Sequence, residues 1–428
     1  MLPYQNDPEY ATHLDEADEL KEFRTQFFIP QVNGKDAIYF TGNSLGLQPR
    51  TVSNYIQQEL DDWARQGVEG HFHAQHPWLP YHELFPRQLG AIVGANENEV
   101  VVMNSLTVNL HLLMVSFYRP TKKRYRILCE AKAFPSDQYA LESQAKFHGF
   151  DPKDAVIEIE PREGEHCLRT EDILAKIATL GDSLSVILIG AVNYYTGQFY
   201  DLEKITESGH AVGAMVGFDC AHAAGNVSLR LHDWNVDFAC WCSYKYLNSG
   251  PGGVAGVYIN EKHARNKDIP RLAGWWGYKK ETRFRMEKGF EPIPTAEGWQ
   301  LSNAPVLSMA VHKASLDIFA SAGVDRLHAK RISMSAYMHY ILNDIQRQSG
   351  EQGMEIITPA EEGARGCQVS LLMKKKGREV FDELTKNGVI ADWREPNVIR
   401  VAPVPLYNTY SDIFQFGKLL HSILKSFS

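Results

Sequence analysis

A lysine follows a short apolar run in the stretch Phe238-Ala-Cys-Trp-Cys-Ser-Tyr-Lys-Tyr-Leu-Asn248, and the glycine-rich segment Gly250-Pro-Gly-Gly253 comes directly after it. The apolar run predicts a buried strand, so Lys245 stands where the chain leaves the core. The glycines permit close backbone approach and positive φ. Lys245 is either a lysine that extends its ammonium into solvent or one kept nucleophilic by partial burial, which can form a Schiff base.

Similar apolar runs alternate with helical segments through the preceding part of the chain. We expect strands at 100–103, 126–129, 156–159, 186–189, 215–219 and 238–242, and helices at 106–117, 136–148 and 202–212, with a further helix capped by Thr170. This alternation predicts an α/β fold whose mostly parallel sheet is covered by helices on both faces. The expected domains are an N-terminal arm (1–50), a large α/β domain (51–305) and a smaller α+β C-terminal domain (306–428) that starts with a long amphipathic stretch.

The composition is that of an ordinary globular protein. Of 428 residues, 44% are hydrophobic, 11% aromatic and 22% charged, which excludes a disordered or fibrous chain. The net charge of −8 argues against a role in coating nucleic acid or anionic lipid. The acidic start predicts no signal peptide, and polar residues within 100–118 favour a buried strand and helix over a membrane span. Six cysteines without a CxxC motif predict reduced thiols and a cytoplasmic location.

A carboxylate and an imidazole stand at the end of an earlier predicted strand. In Gly217-Phe-Asp-Cys-Ala-His-Ala-Ala-Gly225, Asp219 lies 245 − 219 = 26 residues before Lys245, and His222 follows three residues later. The carboxyl ends of strands are where open α/β sheets bind ligands. Seen alone, Asp219 could be a helix cap and His222 could fill space. With Lys245, the spacing suits pyridoxal 5′-phosphate (PLP), whose aldehyde the lysine would hold while Asp219 keeps the pyridine nitrogen protonated.

Two further segments could complete such a site. In Asn104-Ser-Leu-Thr-Val-Asn109 a predicted strand passes into a helix, so backbone N–H groups and the Thr107 hydroxyl could bind a phosphate. Simple N-capping by Ser105 or Thr107 is the structural alternative. In Ala133-Phe-Pro-Ser-Asp137, Phe134 could stack on a pyridine ring, and Asp137 could support the pairing of Asp219 with the ring nitrogen.

These segments resemble the kynureninase family. The resemblance covers nearly the whole chain and includes Tyr39-Phe-Thr-Gly-Asn-Ser-Leu-Gly-Leu-Gln-Pro49, Leu106-Thr-Val-Asn-Leu-His-Leu-Leu-Met114, Glu130-Ala-Lys-Ala-Phe-Pro-Ser-Asp137 and Arg400-Val-Ala-Pro-Val-Pro-Leu-Tyr-Asn408. It implies the fold-type I PLP-dependent transferase architecture and a homodimer with active sites at the subunit interface. The implied reaction is hydrolysis of L-kynurenine and/or 3-hydroxy-L-kynurenine to anthranilate or 3-hydroxyanthranilate plus L-alanine, in tryptophan catabolism or NAD biosynthesis.

The resemblance also implies roles for the residues that match the family's motifs. Lys245, Tyr244 and Asp219 would be catalytic, with Tyr244 as the acid/base of the carbon–carbon cleavage. The residues expected to bind the cofactor are Leu106, Thr107, Phe134, Asp137, Asp219, His222, Tyr244, Lys245, Trp275 and Asn303, of which Trp275 and Asn303 would reach the other subunit's site. Those expected to bind the substrate are Ser44, His71, Asn303 and Arg400, with Arg400 as the fork for the α-carboxylate.

Two features qualify this assignment. Gly190 stands where a residue with a side chain near the cofactor is expected, so that contact is left open. The segment His71-Phe-His-Ala-Gln-His76 is rich in histidine, but we expect no metal because no Cys or carboxylate accompanies it at ligand spacing. His71 and Asn303 would offer polar partners to a ring hydroxyl, which favours 3-hydroxykynurenine as substrate.

Other functions stay open on the residues alone. A PLP-dependent desulfurase would need a mobile nucleophilic thiol, for which Cys367 is the candidate, although its surroundings predict a strand. A PLP-binding carrier without catalysis would need the same lysine. A nicotinamide enzyme is disfavoured because the glycines at 250–253 follow a strand-end lysine and lack the GxGxxG order.

Overall fold

The computed structural model describes residues 4–349 and 353–427 of the chain. The strands, in chain order, are β1 (Gln31–Val32), β2 (Lys35–Asp36), β3 (Ile38–Tyr39), β4 (Val100–Val102), β5 (Arg126–Glu130), β6 (Val156–Ile159), β7 (Leu184–Gly190), β8 (Met215–Asp219), β9 (Phe238–Cys242), β10 (Ala255–Ile259), β11 (Met354–Ile356), β12 (Val369–Met373), β13 (Val389–Ile390), β14 (Asp392–Arg394) and β15 (Val398–Val401). The helices are α1 (Pro8–Ala17), α2 (Val52–Gln66), α3 (Gly70–His73), α4 (Pro86–Val93), α5 (Leu106–Phe117), α6 (Pro135–Phe147), α7 (Pro152–Ala155), α8 (Thr170–Leu180), α9 (Leu202–Ala211), α10 (Glu261–Ala264), α11 (Val306–Ala322), α12 (Val324–Ser349), α13 (Gly377–Lys386) and α14 (Tyr410–Ser426).

A seven-stranded sheet forms the centre of the large domain, in the order β4–β10–β9–β8–β7–β5–β6. The strands from β9 to β6 are parallel, whereas β10 runs antiparallel to both β9 and β4. Nearly every residue of β7, β8, β9 and β10 is buried. Strands that are buried on both faces read as continuous apolar runs, which is why the sequence predicted this sheet.

Successive residues of the central strands pack on opposite faces of the sheet. Ile127 belongs to an apolar cluster with Leu113 and Phe117 of α5, and the ring of Phe117 stacks on Phe238 at 4.5 Å between centroids. Leu128 belongs to the other cluster, which contains Ile177 of α8. Helices therefore cover both faces, and the predicted α/β class is confirmed.

A second, antiparallel sheet in the order β11–β12–β15–β14 lies in the C-terminal part of the chain. Its apolar cluster also includes Ala11 and Phe40 from the N-terminal segment, and Phe40 meets Phe416 of α14 edge-on. The parallel pairing of β3 with β13 ties the two ends of the chain together. The domain limits 1–50, 51–305 and 306–428 stay a prediction.

Local signals misplaced three details. Arg169 is the N-cap of α8 and Thr170 is its first residue, so the predicted cap is wrong by one position. The amphipathic stretch from 306 is two helices, because Gly323 adopts a φ of 80° between α11 and α12. β10 was not predicted. Residues 100–118 do hold a buried strand followed by a helix, and none of the helices described is both long and apolar enough to cross a bilayer.

Asp237 is a buried carboxylate that joins α9, α10 and the sheet. His210 and His263 hydrogen-bond its two oxygens at 2.8 and 2.7 Å, the Val216 N–H donates at 2.7 Å, and the Lys262 ammonium lies 2.9 Å away. Burial alone would raise the pKa of Asp237, but the two imidazoles and the lysine outweigh burial and lower it well below its usual range. The ionised form of Asp237 is therefore the one that stabilises the fold.

Replacing Asp237 with Asn should lower the free energy of unfolding by about 3 kcal/mol. The substitution removes a buried negative charge and leaves the cationic groups around it without their partner. A folded-state pKa below the unfolded value means that this stabilisation is present near neutral pH and is lost as the pH falls. The difference in the free energy of unfolding between wild type and Asp237→Asn, measured with urea, should therefore become smaller as the pH is lowered. Asp172→Asn, which breaks the exposed pair with Arg162, is the control, and an equal loss in both variants would contradict the role of Asp237.

Candidate active site

A cavity of about 210 Å³ opens at the carboxyl ends of the parallel strands. Its lining contains all the residues that were predicted to bind the cofactor within their own subunit. Trp275 and Asn303, which were predicted to reach the other subunit's site, are not in the lining. The lining consists of Ser105, Leu106, Thr107, Glu130, Phe134, Ser136, Asp137, Gly190, Val192, Tyr194, Asp219, Ala221, His222, Cys242, Tyr244 and Lys245. Segments separated by more than a hundred residues in the chain therefore meet at one edge of the sheet.

Lys245 is held by the turn that follows β9. The Gly46 N–H donates to the Tyr244 carbonyl at 2.8 Å, and a Cβ at position 46 would come within 2.3 Å of the Lys245 carbonyl oxygen. The N-terminal segment thus fixes the lysine's backbone, and only glycine fits at 46. The Lys245 amine lies 5.7 Å from the centre of the Phe134 ring, so the amine and an aromatic face look into the same cavity.

Two carboxyl groups meet at the floor of the cavity. Asp219 ends β8 and Asp137 lies in the first turn of α6, and both are buried. Burial raises the pKa of Asp219. The charge of Lys245 and a 2.7 Å hydrogen bond from the Ala221 N–H partly oppose this increase. Burial and the proximity of Asp219 raise the pKa of Asp137 well above its usual range. Two carboxyls that interact this strongly titrate as a pair, and burial disfavours a negative charge on both at once.

The N-terminus of α5 forms a corner of the cavity that can attract an anion. The Ser105 side chain does not cap the helix, and Ser105 and Thr107 are exposed, so the first-turn N–H groups are open to a ligand. His222 is buried beside this region, and its Nδ1 has no hydrogen-bond partner among the described residues. Burial, followed by the charges of Lys245, Arg400 and Arg394, lowers the pKa of His222 well below its usual range. A neutral imidazole with a free nitrogen fits a ligand's polar group.

Tyr244 is placed to act as a proton donor. Burial, together with neighbouring Cys242, raises the pKa of Tyr244, so its phenol keeps its proton at neutral pH. The Cys242 thiol lines the same cavity, and burial raises its pKa also. Sequence reasoning passed over Cys242 because an apolar strand gave no reason to single out its last residue.

Arg400 does not line the cavity in this conformation. It is fully buried on β15, where Nη2 pairs with Asp392 and Nη1 donates to the Tyr194 carbonyl at 2.5 Å. Its Nε has no partner in the described structure. Arg400 is thus connected to the cavity through Tyr194, which is a residue of the lining. The assignment of Arg400 to the substrate carboxylate stays a prediction.

The remaining predicted residues are not in the lining of the cavity. Ser44 belongs to the turn that contacts the Tyr244 carbonyl through Gly46. His71, in α3, bonds the Val68 carbonyl through Nδ1 and packs edge-on against Trp78. Trp275 is 46% exposed and Asn303 is also exposed. Their roles toward the substrate and toward a second subunit stay predictions.

Glu130 is the main feature that sequence reasoning missed. It ends β5, is buried, and lines the cavity with the Asp137–Asp219 pair. Both of its oxygens accept from the Gly190 N–H, at 3.2 and 3.3 Å. A carboxylate at the end of a buried strand was the available signal, the same one that identified Asp219.

One side-chain group in the described ranges has the spacing of metal ligands: His82, Glu83 and Glu297. The Lys280 ammonium lies 2.7 Å from Glu83 and 2.6 Å from Glu297. These carboxylates are therefore paired with a cation of the chain itself. The group lies apart from the cavity, and the expectation of no metal in the mechanism is left as it stood.

Comparison with known proteins decides the family. A family model described as the kynureninase C-terminal domain matches residues 327–420. A kynureninase from Flavobacterium psychrophilum is 57% identical over 97% of this chain and 98% of its own length. The kynureninase of Mus musculus is 48% identical over 98% of this chain and 94% of its own length. This chain belongs to the kynureninase family.

Solved structures show the same fold at much lower identity. A cysteine desulfurase from Thermococcus onnurineus superposes with a TM-score of 0.74 and 16% identity, covering 91% of this chain and 95% of that one. The cysteine desulfurase CsdA from Escherichia coli gives a TM-score of 0.70 and 14% identity, covering 95% and 98%. The kynureninase family thus shares the fold-type I architecture with desulfurases, and the predicted fold class is confirmed.

Proposed function

We propose that this chain is a PLP-dependent kynureninase that hydrolyses the Cβ–Cγ bond of L-kynurenine and/or 3-hydroxy-L-kynurenine. The products are anthranilate or 3-hydroxyanthranilate and L-alanine, as in tryptophan catabolism and NAD biosynthesis. The observation that carries the proposal is the full-length similarity to kynureninases together with a cavity where Lys245 faces the Asp137–Asp219 pair.

The residues of the cavity fit PLP by their chemistry. When bound, PLP withdraws electrons from the carbon that carries the substrate amine, which weakens the bonds next to that carbon. The N-terminus of α5, Thr107 and His222 would hold the phosphate, which uses the open N–H groups and the unpartnered imidazole nitrogen. Phe134 would stack on the ring, and Asp219, supported by Asp137, would keep a proton on the ring nitrogen.

Lys245 and Tyr244 would move the protons. Lys245 would hold the aldehyde of the cofactor, and its amine, when free, could take the Cα proton. The phenol of Tyr244 stays protonated in its buried place, so it can donate to the oxygen of the γ-carbonyl as water adds there. The phenolate left by that donation can then take a proton back as the carbon–carbon bond breaks.

Substrate binding would involve Arg400, Ser44, His71 and Asn303. Arg400 would bind the α-carboxylate, which requires its guanidinium to exchange part of its bonding with Asp392 and Tyr194. Ser44, His71 and Asn303 would line the ring end of the substrate. The polar groups of His71 and Asn303 favour 3-hydroxykynurenine.

We further propose a cytoplasmic homodimer in which Trp275 and Asn303 reach the other subunit's cavity. Support comes from the exposed apolar side chains around Trp275, namely Leu272, Phe284, Met286 and Phe290. Apolar patches of this kind mark surfaces that contact another protein. The free state of all six cysteines supports a reducing compartment.

The proposed reaction is tested by adding each kynurenine to the purified yellow protein and following product fluorescence. We expect anthranilate or 3-hydroxyanthranilate to form, with a higher kcat/KM for 3-hydroxykynurenine. Reduction with borohydride and peptide mapping should place the cofactor on Lys245. Product formation from neither substrate would refute the function, a label on another residue would refute the site, and a clear advantage for kynurenine would refute the preference.

Asp219→Asn should lower kcat by a factor of about 10² to 10³, because the loss of a buried ionic partner is worth about 3–5 kcal/mol and most of it would enter the barrier. Arg162→Gln, a change in an exposed ion pair far from the cavity, serves as the control. A kcat for Asp219→Asn within a few-fold of wild type would show that the ring nitrogen does not depend on this carboxylate.

Mixing two inactive variants tests the shared site. Lys245→Ala and Asn303→Ala disable different parts of the site, and in a mixed dimer one site would combine an intact Lys245 with an intact Asn303 from its partner. Random exchange of subunits makes half of the dimers mixed, so about a quarter of wild-type activity should return after co-refolding. The experiment requires Asn303→Ala to be strongly impaired alone. No recovery above the two separate variants would contradict a site built from two subunits.

A further inference from the structure

Three carboxyl groups share the floor of the cavity, and the proposed function uses two of them. Glu130 ends β5 and is 3% exposed, whereas Asp137 and Asp219 form the pair described above. No lysine, arginine or histidine in the part of the chain that the structure describes forms an ion pair with Glu130. A buried charge without a counter-ion is strongly disfavoured. The protonation state of Glu130 therefore depends on the groups that surround it.

The surroundings of Glu130 favour a neutral acid. The titratable groups that interact electrostatically with it are Cys129 on its own strand, Glu158 on β6, Asp219 on β8, Asp137 on α6 and Tyr200 after β7. All of these are acids. Of the other groups that line the cavity, Cys242, Tyr244, His222 and Lys245, only the lysine carries a positive charge, and that charge acts on Asp219 rather than on Glu130. Burial raises the pKa of Glu130 to about 8, although its own backbone N–H and the Gly190 N–H oppose the shift, and Asp219 and Glu158 add to it.

Gly190 explains how a third carboxyl fits there. In the sheet, β7 lies between β8 and β5, and Gly190 is in register with Asp219. A Cβ at position 190 would come within 3.0 Å of Glu130 Oε1. The missing side chain at 190 leaves space that the Glu130 carboxyl occupies, and the Gly190 N–H binds both of its oxygens.

We propose that Glu130 is a positioning residue of the cofactor site: as a neutral carboxylic acid on the Gly190 N–H, it takes the place of a side chain at 190 and leaves the Asp137–Asp219 pair as the only anion facing the ring nitrogen. This inference rests on the proposed function, since it concerns the same cofactor. Glu130 lines the cavity, so water or the bound cofactor can accept a hydrogen bond from its protonated carboxyl. Ionisation of Glu130 would put a second negative charge beside the pair and weaken the binding of an anionic cofactor.

Glu130→Gln tests the charge state because the amide keeps the shape of the acid, an acceptor for the Gly190 N–H and a donor toward the cavity, but cannot ionise. Glu160→Gln is the matched control, since it removes an exposed carboxylate directly after β6 that neither lines the cavity nor shifts the pKa of Glu130. The cofactor dissociation constant is measured by absorbance from pH 6.5 to 9. Between pH 7 and 9 we expect the wild-type constant to rise about tenfold more than that of Glu130→Gln, and Glu160→Gln to follow wild type.

Thermal unfolding of the cofactor-free proteins gives a readout that needs no activity. A carboxyl whose folded pKa lies above its unfolded value stabilises the fold below the unfolded pKa, and this stability is lost as the pH rises toward the folded pKa. Glu130→Gln should therefore gain in Tm over wild type as the pH rises from 5 to 8.5. A gap in Tm that does not change with pH overturns the proposal.

Glu130→Asp separates charge from shape, because it keeps an ionisable group but withdraws it from the Gly190 N–H. We expect it to bind the cofactor more weakly than Glu130→Gln at pH 7. If Glu130→Asp behaves as wild type while Glu130→Gln loses the cofactor at every pH, a carboxylate is required and the proposal is wrong. If Glu130→Gln does not fold, the same conclusion follows, since the neutral isostere is expected to be tolerated. If kynurenine is not cleaved but the Tm gap changes as expected, the proposed function fails while the assignment of a neutral Glu130 holds.

Discussion

The carboxyl groups of Asp137 and Asp219 meet in the core, and the remaining features of the cavity are arranged around the one negative charge that the pair can hold. Removal from water makes each charge there expensive. The Lys245 ammonium offsets part of that expense by its attraction to Asp219. A protonated ring nitrogen next to Asp219 would supply the counter-charge from the opposite side. The site is thus unfavourable in isolation and is completed by a cation.

The order of the strands brings these groups together. Parallel strands present their carboxyl ends at one edge of the sheet, so Asp219 after β8, Lys245 after β9 and Glu130 at the end of β5 face a common space. β7 lies between β8 and β5 and could have separated their carboxyls by a side chain. It ends in Gly190 instead. The departure noted at this position in the sequence is therefore compensated by a side chain from the neighbouring strand.

The sequence predicted the elements whose burial follows from their own composition. Strands β4 to β9 and helix α5 were placed within a few residues, because strands buried on both faces leave apolar runs and α5 is bounded by polar segments. β10 was missed although it is as apolar as its neighbours. Its antiparallel direction and its place between β9 and β4 could not be read from the sequence either, because a short apolar run reveals neither the direction nor the order of a strand. The residues after β4 and β9 predicted that Thr107 and Lys245 would reach one site, and both line the same cavity. The bonding of Arg400 to Asp392 and of Glu130 to Gly190 could not be read from spacing, because each joins strands that only the tertiary fold makes adjacent.

The likeness to cysteine desulfurases separates scaffold from chemistry. At 16% identity it shows a shared fold, and the reaction depends on side chains that the fold does not dictate. A desulfurase would need a mobile, reactive thiol, and Cys367 offers the opposite. It is 1% exposed, its N–H is fixed by Asn226 at 2.8 Å, and burial raises the pKa of its thiol to about 12. A thiol reacts as its thiolate, so Cys367 is inert where it stands. The protonated phenol of Tyr244 lines the cavity together with Lys245. A phenol of this kind is suited to donate a proton to a carbonyl oxygen rather than to react with sulfur.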